Sequence, residues 1–192
     1  MLHKGTKTLT TERLILRPFI VEDAQAMYDN WASDDEVTRF LMWPTHSSVE
    51  VSHMVASDWV SHYDDAKFYQ WAIVPRPEAF GGKGGEPIGS ISAVEVDDRT
   101  ERVHIGYCIG REWWKKGITS EALSELIRFF FEEVGAGRVE ARHDPNNPNS
   151  GKVMLHCGMK YEGTHRKSDF NNQGICDCAY YAILREEYEG EK

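Results

Sequence analysis

The chain has 192 residues, 41% of them hydrophobic and 11% aromatic, with 22 Lys and Arg against 31 Asp and Glu, for a net charge of −9. A chain this long buries enough surface to hold one core without staples. The acidity excludes a non-specific nucleic-acid binder, which needs a basic stripe, and a surface built for anionic lipid. It leaves room for one local anion site, because main-chain amides bind phosphate without net positive charge. No apolar run approaches the ~18 residues of a membrane span, and the start, Met1-Leu2-His3-Lys4-Gly5, lacks the apolar core of a signal peptide. The four cysteines, at 108, 157, 176 and 178, form no CxxC pair. The expected compartment is the cytoplasm.

Residues 11–17 alternate as a first strand, ended by Pro18. Glu22 and Asp23 open a helix whose apolar face is Ala24, Met27, Tyr28 and Trp31. A second helix begins at Ser47, with Glu50 completing a capping box. Residues 68–74 read as a strand and 75–86 as a breaker-rich loop. Its Gly-Gly-Lys-Gly-Gly lacks the Lys-Ser/Thr ending and the following helix of a phosphate loop. Residues 87–96 and 102–109 form a hairpin. Ala122, Leu123, Leu126, Ile127, Phe130, Phe131 and Val134 then mark the clearest helix, which ends at Gly135. A strand over 138–143, a short helix over 147–157 and strands over 159–165 and 175–184 close the chain. The expectation is an α/β (α+β) fold in one domain over 8–188. Its mixed, mostly antiparallel sheet has about seven strands, with helices on both faces, in the order β-α-α-β-β-β-α-β-α-β-β.

Chemistry concentrates where the strand over 102–109 runs into the strongest helix. Gly117 lies just before the first apolar-periodic residue, and the helix's first N–H groups have no intrahelical partner. The dipole favours an anion there, Lys115 and Lys116 add positive charge, and Gly117 lets a ligand approach. The physical reading is a pyrophosphate site over residues 116–120, with a plain turn at Gly117 and a solvated lysine rim as the alternative.

Four stretches then resemble the GCN5-related N-acetyltransferase (GNAT) superfamily, within it the RimJ/RimL-type branch that acetylates protein N-termini. They are Thr11-Glu-Arg-Leu-Ile-Leu-Arg-Pro; Ile105-Gly-Tyr-Cys-Ile with Trp114-Lys-Lys-Gly-Ile-Thr-Ser-Glu-Ala; Asn147-Pro-Asn-Ser150 with Gly158-Met-Lys-Tyr-Glu-Gly; and Asp177-Cys-Ala-Tyr-Tyr181-Ala. The resemblance implies acetyl-CoA as cosubstrate and no metal. It places the pyrophosphate loop on Lys115, Lys116, Gly117, Ile118, Thr119 and Ser120, the pantetheine arm on Cys108, Ile109 and Gly110, and further contacts on Asn147 and Ser150. The chain departs from the pattern at Trp114, at Lys115, where the branch usually has glycine, and at Thr119.

Acetyl transfer needs a neutral amine, a polarised thioester carbonyl and a proton or hydrogen bond for the leaving thiolate. Ser150 is the candidate for the last role, with helix support as its plainer alternative. The proton-accepting candidates are His104, which can titrate near neutrality, and Asp169 in a late loop; each could equally be a partnered strand or solvated loop residue. Cys176 and Cys178 fall short of a zinc set and read as small apolar residues, and Cys108 reads as structural. By resemblance, the segment from Phe40 to His46 lines the acceptor pocket, with Trp43 and His46 as substrate contacts; Trp43 could also be core. The expected activity is direct acetyl transfer to a primary amine, foremost a protein N-terminal α-amine. A small-molecule amine or antibiotic, or a non-catalytic acyl-CoA-binding regulator, stays open. The acidic surface would attract a cationic amine, and a homodimer is a family-level expectation.

Overall fold

The computed structural model describes residues 1–190. Strands β1 (Leu9–Thr10), β2 (Leu14–Pro18), β3 (Gln70–Pro75), β4 (Gly89–Asp97), β5 (Arg102–Ile109), β6 (Arg138–His143), β7 (Lys160–Asn171) and β8 (Gly174–Leu184) form one 8-stranded sheet in the order β1-β2-β3-β4-β5-β6-β8-β7. Every neighbouring pair is antiparallel except β5 with β6. The long crossover helix between those two strands permits parallel pairing, which a tight hairpin does not.

Alternation along β3 shows how the sheet is filled. Trp71 and Ile73 enter one core, with Leu123, Leu126, Ile127 and Phe130 of helix α4 (Ile118–Phe129) and the π-type turn that continues it (Phe130–Val134). Ala72 and Val74 enter the other, with Phe19 just after β2 and Met27, Trp31 and Ala56 from the helices between β2 and β3. All six residues of β3 are buried, so the sheet is covered on both faces as the sequence implied. The covering segments are α1 (Ala24–Met27) with its π-type extension Tyr28–Ala32, α2 (Asp35–Thr38) and α3 (Val49–Ser61) on one side, and α4 with α5 (Pro148–His156) on the other.

Several boundaries move. Strand β1 adds an eighth member, and a last helix, α6 (Arg185–Gly190), follows β8. Helix α3 is capped from Ser48 rather than Ser47. Strand β7 runs on to Asn171 through register shifts at Tyr161/Gly163 and His165/Asp169. The late loop assigned to Asp169 is therefore strand. That strand is almost wholly solvent-exposed, so no apolar alternation announced it. Among the described residues no helix is long and apolar enough to cross a membrane.

Candidate acetyl-CoA site

Strand β5 has two unlike halves. From Arg102 to Ile105 it is paired with β6, ending at Ile105↔Ala141; beyond that, to Ile109, only β4 accompanies it. Main-chain groups on the β6 side of that outer half have no strand partner. Gly110 donates its N–H to the Ile88 carbonyl at 2.8 Å, toward β4. Alternation turns Ile109 the other way, and its carbonyl accepts from Trp114 Nε1 at 2.8 Å. A strand residue presents its N–H and C=O on the same side, so the Ile109 N–H points into the gap.

The loop after β5 ends at Gly117, which caps α4 with φ +73° and no side-chain hydrogen bond. Lys115 is also left-handed, at φ +60°, so it holds the shape glycine would adopt at a strain of about 1 kcal/mol. The first-turn amides of α4 keep their hydrogens for a ligand, and the helix dipole favours an anion. The opening sequence stretch anchors this loop. Glu121, in the first turn of α4, accepts from Thr11 Oγ1 at 2.5 Å and from the Arg13 backbone N–H and Nε at 2.9 and 2.6 Å. Arg13 Nη1 then donates to the Lys116 carbonyl at 3.0 Å. Burial pushes the Glu121 carboxyl up, but the Thr11 and Arg13 bonds outweigh it and hold the group below the usual carboxylate range.

Gap and loop open into one cavity of about 680 Å³, within the range of small-molecule and cofactor sites. Its walls include Tyr107, Cys108, Ile109, Lys115, Gly117, Ile118, Thr119, Ser120, Asn147 and Ser150, with Asn146, Lys152, Val153 and His156 around α5. Gly110 and Lys116 are not on the wall. A side chain at Gly110 would place Cβ 2.2 Å from the Asn30 carbonyl oxygen, so glycine there permits close packing of the strand end. The Lys116 ammonium lies 4.9 Å from the centre of the Trp113 ring, and its carbonyl serves Arg13. A free helix terminus, a left-handed glycine and a strand edge without a partner suit a pyrophosphate followed by an extended amide-bearing arm, so the residues present fit acetyl-CoA.

Ser150 faces this cavity from the first turn of α5. Tyr107 on β5 meets it there: the phenol oxygen is 3.0 Å from both the Ser150 carbonyl, to which it donates, and Ser150 Oγ. Burial pushes the Tyr107 phenol far above its ordinary value despite that contact, so it stays protonated. Burial likewise raises the Cys108 thiol, whose Sγ is 3.4 Å from Ser90 Oγ; a neutral thiol is a poor nucleophile.

The remaining candidates lie elsewhere. His104 is buried on the inner half of β5, its Nδ1 3.2 Å from Glu140 Oε1. Arg102 and Arg138 grip the same carboxylate at 2.6 and 2.8 Å. Asp169 pairs with Arg142 at 3.0 Å. His46 is buried with Nδ1 2.7 Å from Ser52 Oγ, and burial lowers its basicity. The Trp43 ring packs 5.3 Å from His46 and against the second core. None of these four lines the cavity. From the expected acceptor segment it is Phe40 and Leu41, with Glu36, Val37 and Arg39, that form a wall. Burial raises the Cys178 thiol to about 12, and among the described residues no group of three or more His, Cys, Asp or Glu could hold a metal. Sequence reading missed Tyr107 as a partner of Ser150. Its position two residues before Ile109, and hence on the same side of the strand, was the available signal.

The family of acetyltransferase (GNAT) domains matches residues 13–160. An uncharacterized N-acetyltransferase, p20, of Bacillus licheniformis is 31% identical over 184 residues, covering 96% of this chain and 99% of that protein. The [ribosomal protein uS5]-alanine N-acetyltransferase of Escherichia coli is 28% identical, covering 81% and 79%. A solved GNAT-family acetyltransferase from Bacillus anthracis superposes with a TM-score of 0.79 at 24% identity, over 94% of this chain and 99% of that one. A RimL ribosomal L7/L12 α-N-protein acetyltransferase solved with coenzyme A superposes at 0.80 with 17% identity, over 93% and 98%; both show the shared fold. The chain belongs to the GNAT acetyltransferase family and is an acyltransferase that uses acetyl-CoA to acetylate an amine.

Proposed function

We propose that the acceptor is the α-amine of a protein N-terminus. One observation carries this reading: the acetyl-CoA cavity continues without interruption to the wall formed by Glu36, Val37, Arg39, Phe40 and Leu41. An extended chain end can enter there beside apolar side chains. The matching relative that acetylates an alanine of ribosomal protein uS5 supports the same class.

Acetyl-CoA supplies an activated acyl group on a thioester. In the proposed mechanism the Ile109 N–H, aimed into the gap, stabilises the negative charge that grows on the acyl oxygen. Ser150 turns its single hydroxyl hydrogen from the Tyr107 oxygen to the leaving sulfur. Tyr107 holds Ser150 in place rather than replacing it. His104 and Asp169 are the titratable candidates for the amine proton; away from the cavity wall, either would act through water. The free cysteines Cys108, Cys157, Cys176 and Cys178 fit a reducing compartment such as the cytoplasm.

The test is coenzyme A release with hexapeptides beginning with alanine or serine, set against small amines and aminoglycosides. Faster turnover of the peptides supports the reading. Turnover confined to small amines replaces the acceptor, and tight acetyl-CoA binding without any acceptor-dependent thiol makes the chain a binding protein.

A further inference from the structure

Two adjacent asparagines at the tip of the β7–β8 hairpin face opposite walls of the cavity. Asn171 is buried, and its amide donates to Asp144 Oδ2 at 2.8 Å. The other Asp144 oxygen accepts from the Asn146 backbone N–H and side-chain amide at 2.8 and 3.0 Å. This is the wall that carries Asn146 and Asn147. Asn172 turns outward. Its N–H donates to the Leu41 carbonyl at 3.1 Å, and its side-chain amide donates to the carbonyls of Thr38 and Trp43, both at 2.9 Å. Both partners are acceptors only, so the NH₂ end must face them.

The segment so held joins α2 to α3 and contributes Arg39, Phe40 and Leu41 to the cavity. Helix α2 has four residues, too few to be stable alone. The segment's local bonds include Leu41 N–H to the Thr38 carbonyl at 2.8 Å and Thr38 Oγ1 to Thr45 Oγ1 at 2.6 Å. Asn172 adds three bonds across more than a hundred residues of sequence, one to Leu41 in the wall and two to Thr38 and Trp43, which flank it.

We infer that Asn172 is a positioning residue for the acceptor: it fixes the wall formed by Arg39, Phe40 and Leu41 without touching the acetyl-CoA half of the cavity. This rests on the reading of that wall as the acceptor end. Asn172 is solvent-exposed, so each bond is worth the lower end of the usual range.

Asn172→Asp keeps the shape and the backbone N–H, removes both side-chain donors, and sets a carboxylate against two carbonyls. Amide exchange over residues 38–43, read by mass spectrometry, should accelerate about tenfold, and KM for an alanine-initiated hexapeptide should rise about fivefold, as expected for losing two exposed hydrogen bonds. The Kd for acetyl-CoA, by calorimetry, should stay within about twofold. Asn172→Ala should shift exchange and KM in the same direction by less. Unchanged exchange over 38–43 in both variants would overturn the inference, as would an equal weakening of peptide and acetyl-CoA, which marks general loosening. If the wild-type chain does not acetylate the peptide, the proposed acceptor class fails, while exchange and acetyl-CoA affinity still decide the role of Asn172.

Discussion

The two halves of β5 spend their polar groups differently. On the inner half, Arg102 to Ile105, the backbone is paired on both sides, and the side chains of Arg102 and His104 converge with Arg138 on the buried Glu140. On the outer half the same strand keeps one backbone edge open, and Tyr107, Cys108 and Ile109 look into a cavity. A strand satisfied throughout binds nothing, and one open throughout exposes an edge that invites aggregation. The inner half fixes where the strands part, and the outer half uses the parting.

The largest expected effect is at the mouth of the open half. Gly117→Asp puts a Cβ at a left-handed position and a negative charge where a pyrophosphate would sit. Acetyl-CoA affinity should fall at least 100-fold, about 3 kcal/mol, with the circular dichroism of the fold unchanged. Unchanged affinity would separate the loop from the cavity.

Breaking the closed half should cost stability instead. Glu140→Gln leaves two guanidinium groups short of their carboxylate. Removing one partner of a buried pair costs 3–5 kcal/mol, but both arginines are partly solvated, so about 2 kcal/mol is expected, or roughly 5 °C in Tm. Burial alone would raise the Glu140 carboxyl; its bonds to His104, Arg138 and Arg102 outweigh it and hold the group at about 2. A depressed carboxylate stabilises the fold fully above its unfolded value near 4.3 and loses that contribution as pH falls toward 2. The wild-type chain should therefore lose stability across that window more steeply than Glu140→Gln, and parallel curves would remove Glu140 from the account. The acetyl-CoA Kd should not move.

The smallest effect concerns chemistry alone. Ser150→Ala should lower kcat about tenfold, as expected for losing one hydrogen bond to the leaving group and less than for a lost general acid, with KM for acetyl-CoA little changed. Tyr107→Phe should lower kcat less, and should add almost nothing in the Ser150→Ala background. An additive double variant would show that Tyr107 acts on its own.

What could be foreseen follows the same division. Helix α4 was legible because Ala122, Leu123, Leu126, Ile127, Phe130, Phe131 and Val134 repeat on one face, and all are buried. The helix start at Gly117 was legible because a glycine just before the first apolar-periodic residue marks a turn into a helix; what decided for a ligand role at that turn was the resemblance. The charge cluster was not: Arg102 and Glu140 meet through parallel register, which no local pattern records. Nor was the cavity wall formed by Phe40 and Leu41. Aromatic size predicts that Trp43 packs somewhere, but not that it packs on the second core while Phe40 and Leu41 take the cavity. Strand β7 was foreseen only over 159–165; its continuation to Asn171 carries no apolar alternation, and with it went the hairpin tip at Asn171 and Asn172.

Amide hydrogen exchange with and without saturating acetyl-CoA tests the division of β5 most directly. Bound acetyl-CoA should slow exchange at Ile109 and across residues 117–120, and leave residues 102–105 as they are in the free protein. Protection confined to residues 102–105, or absent from both halves of the strand and from the loop, would contradict the account.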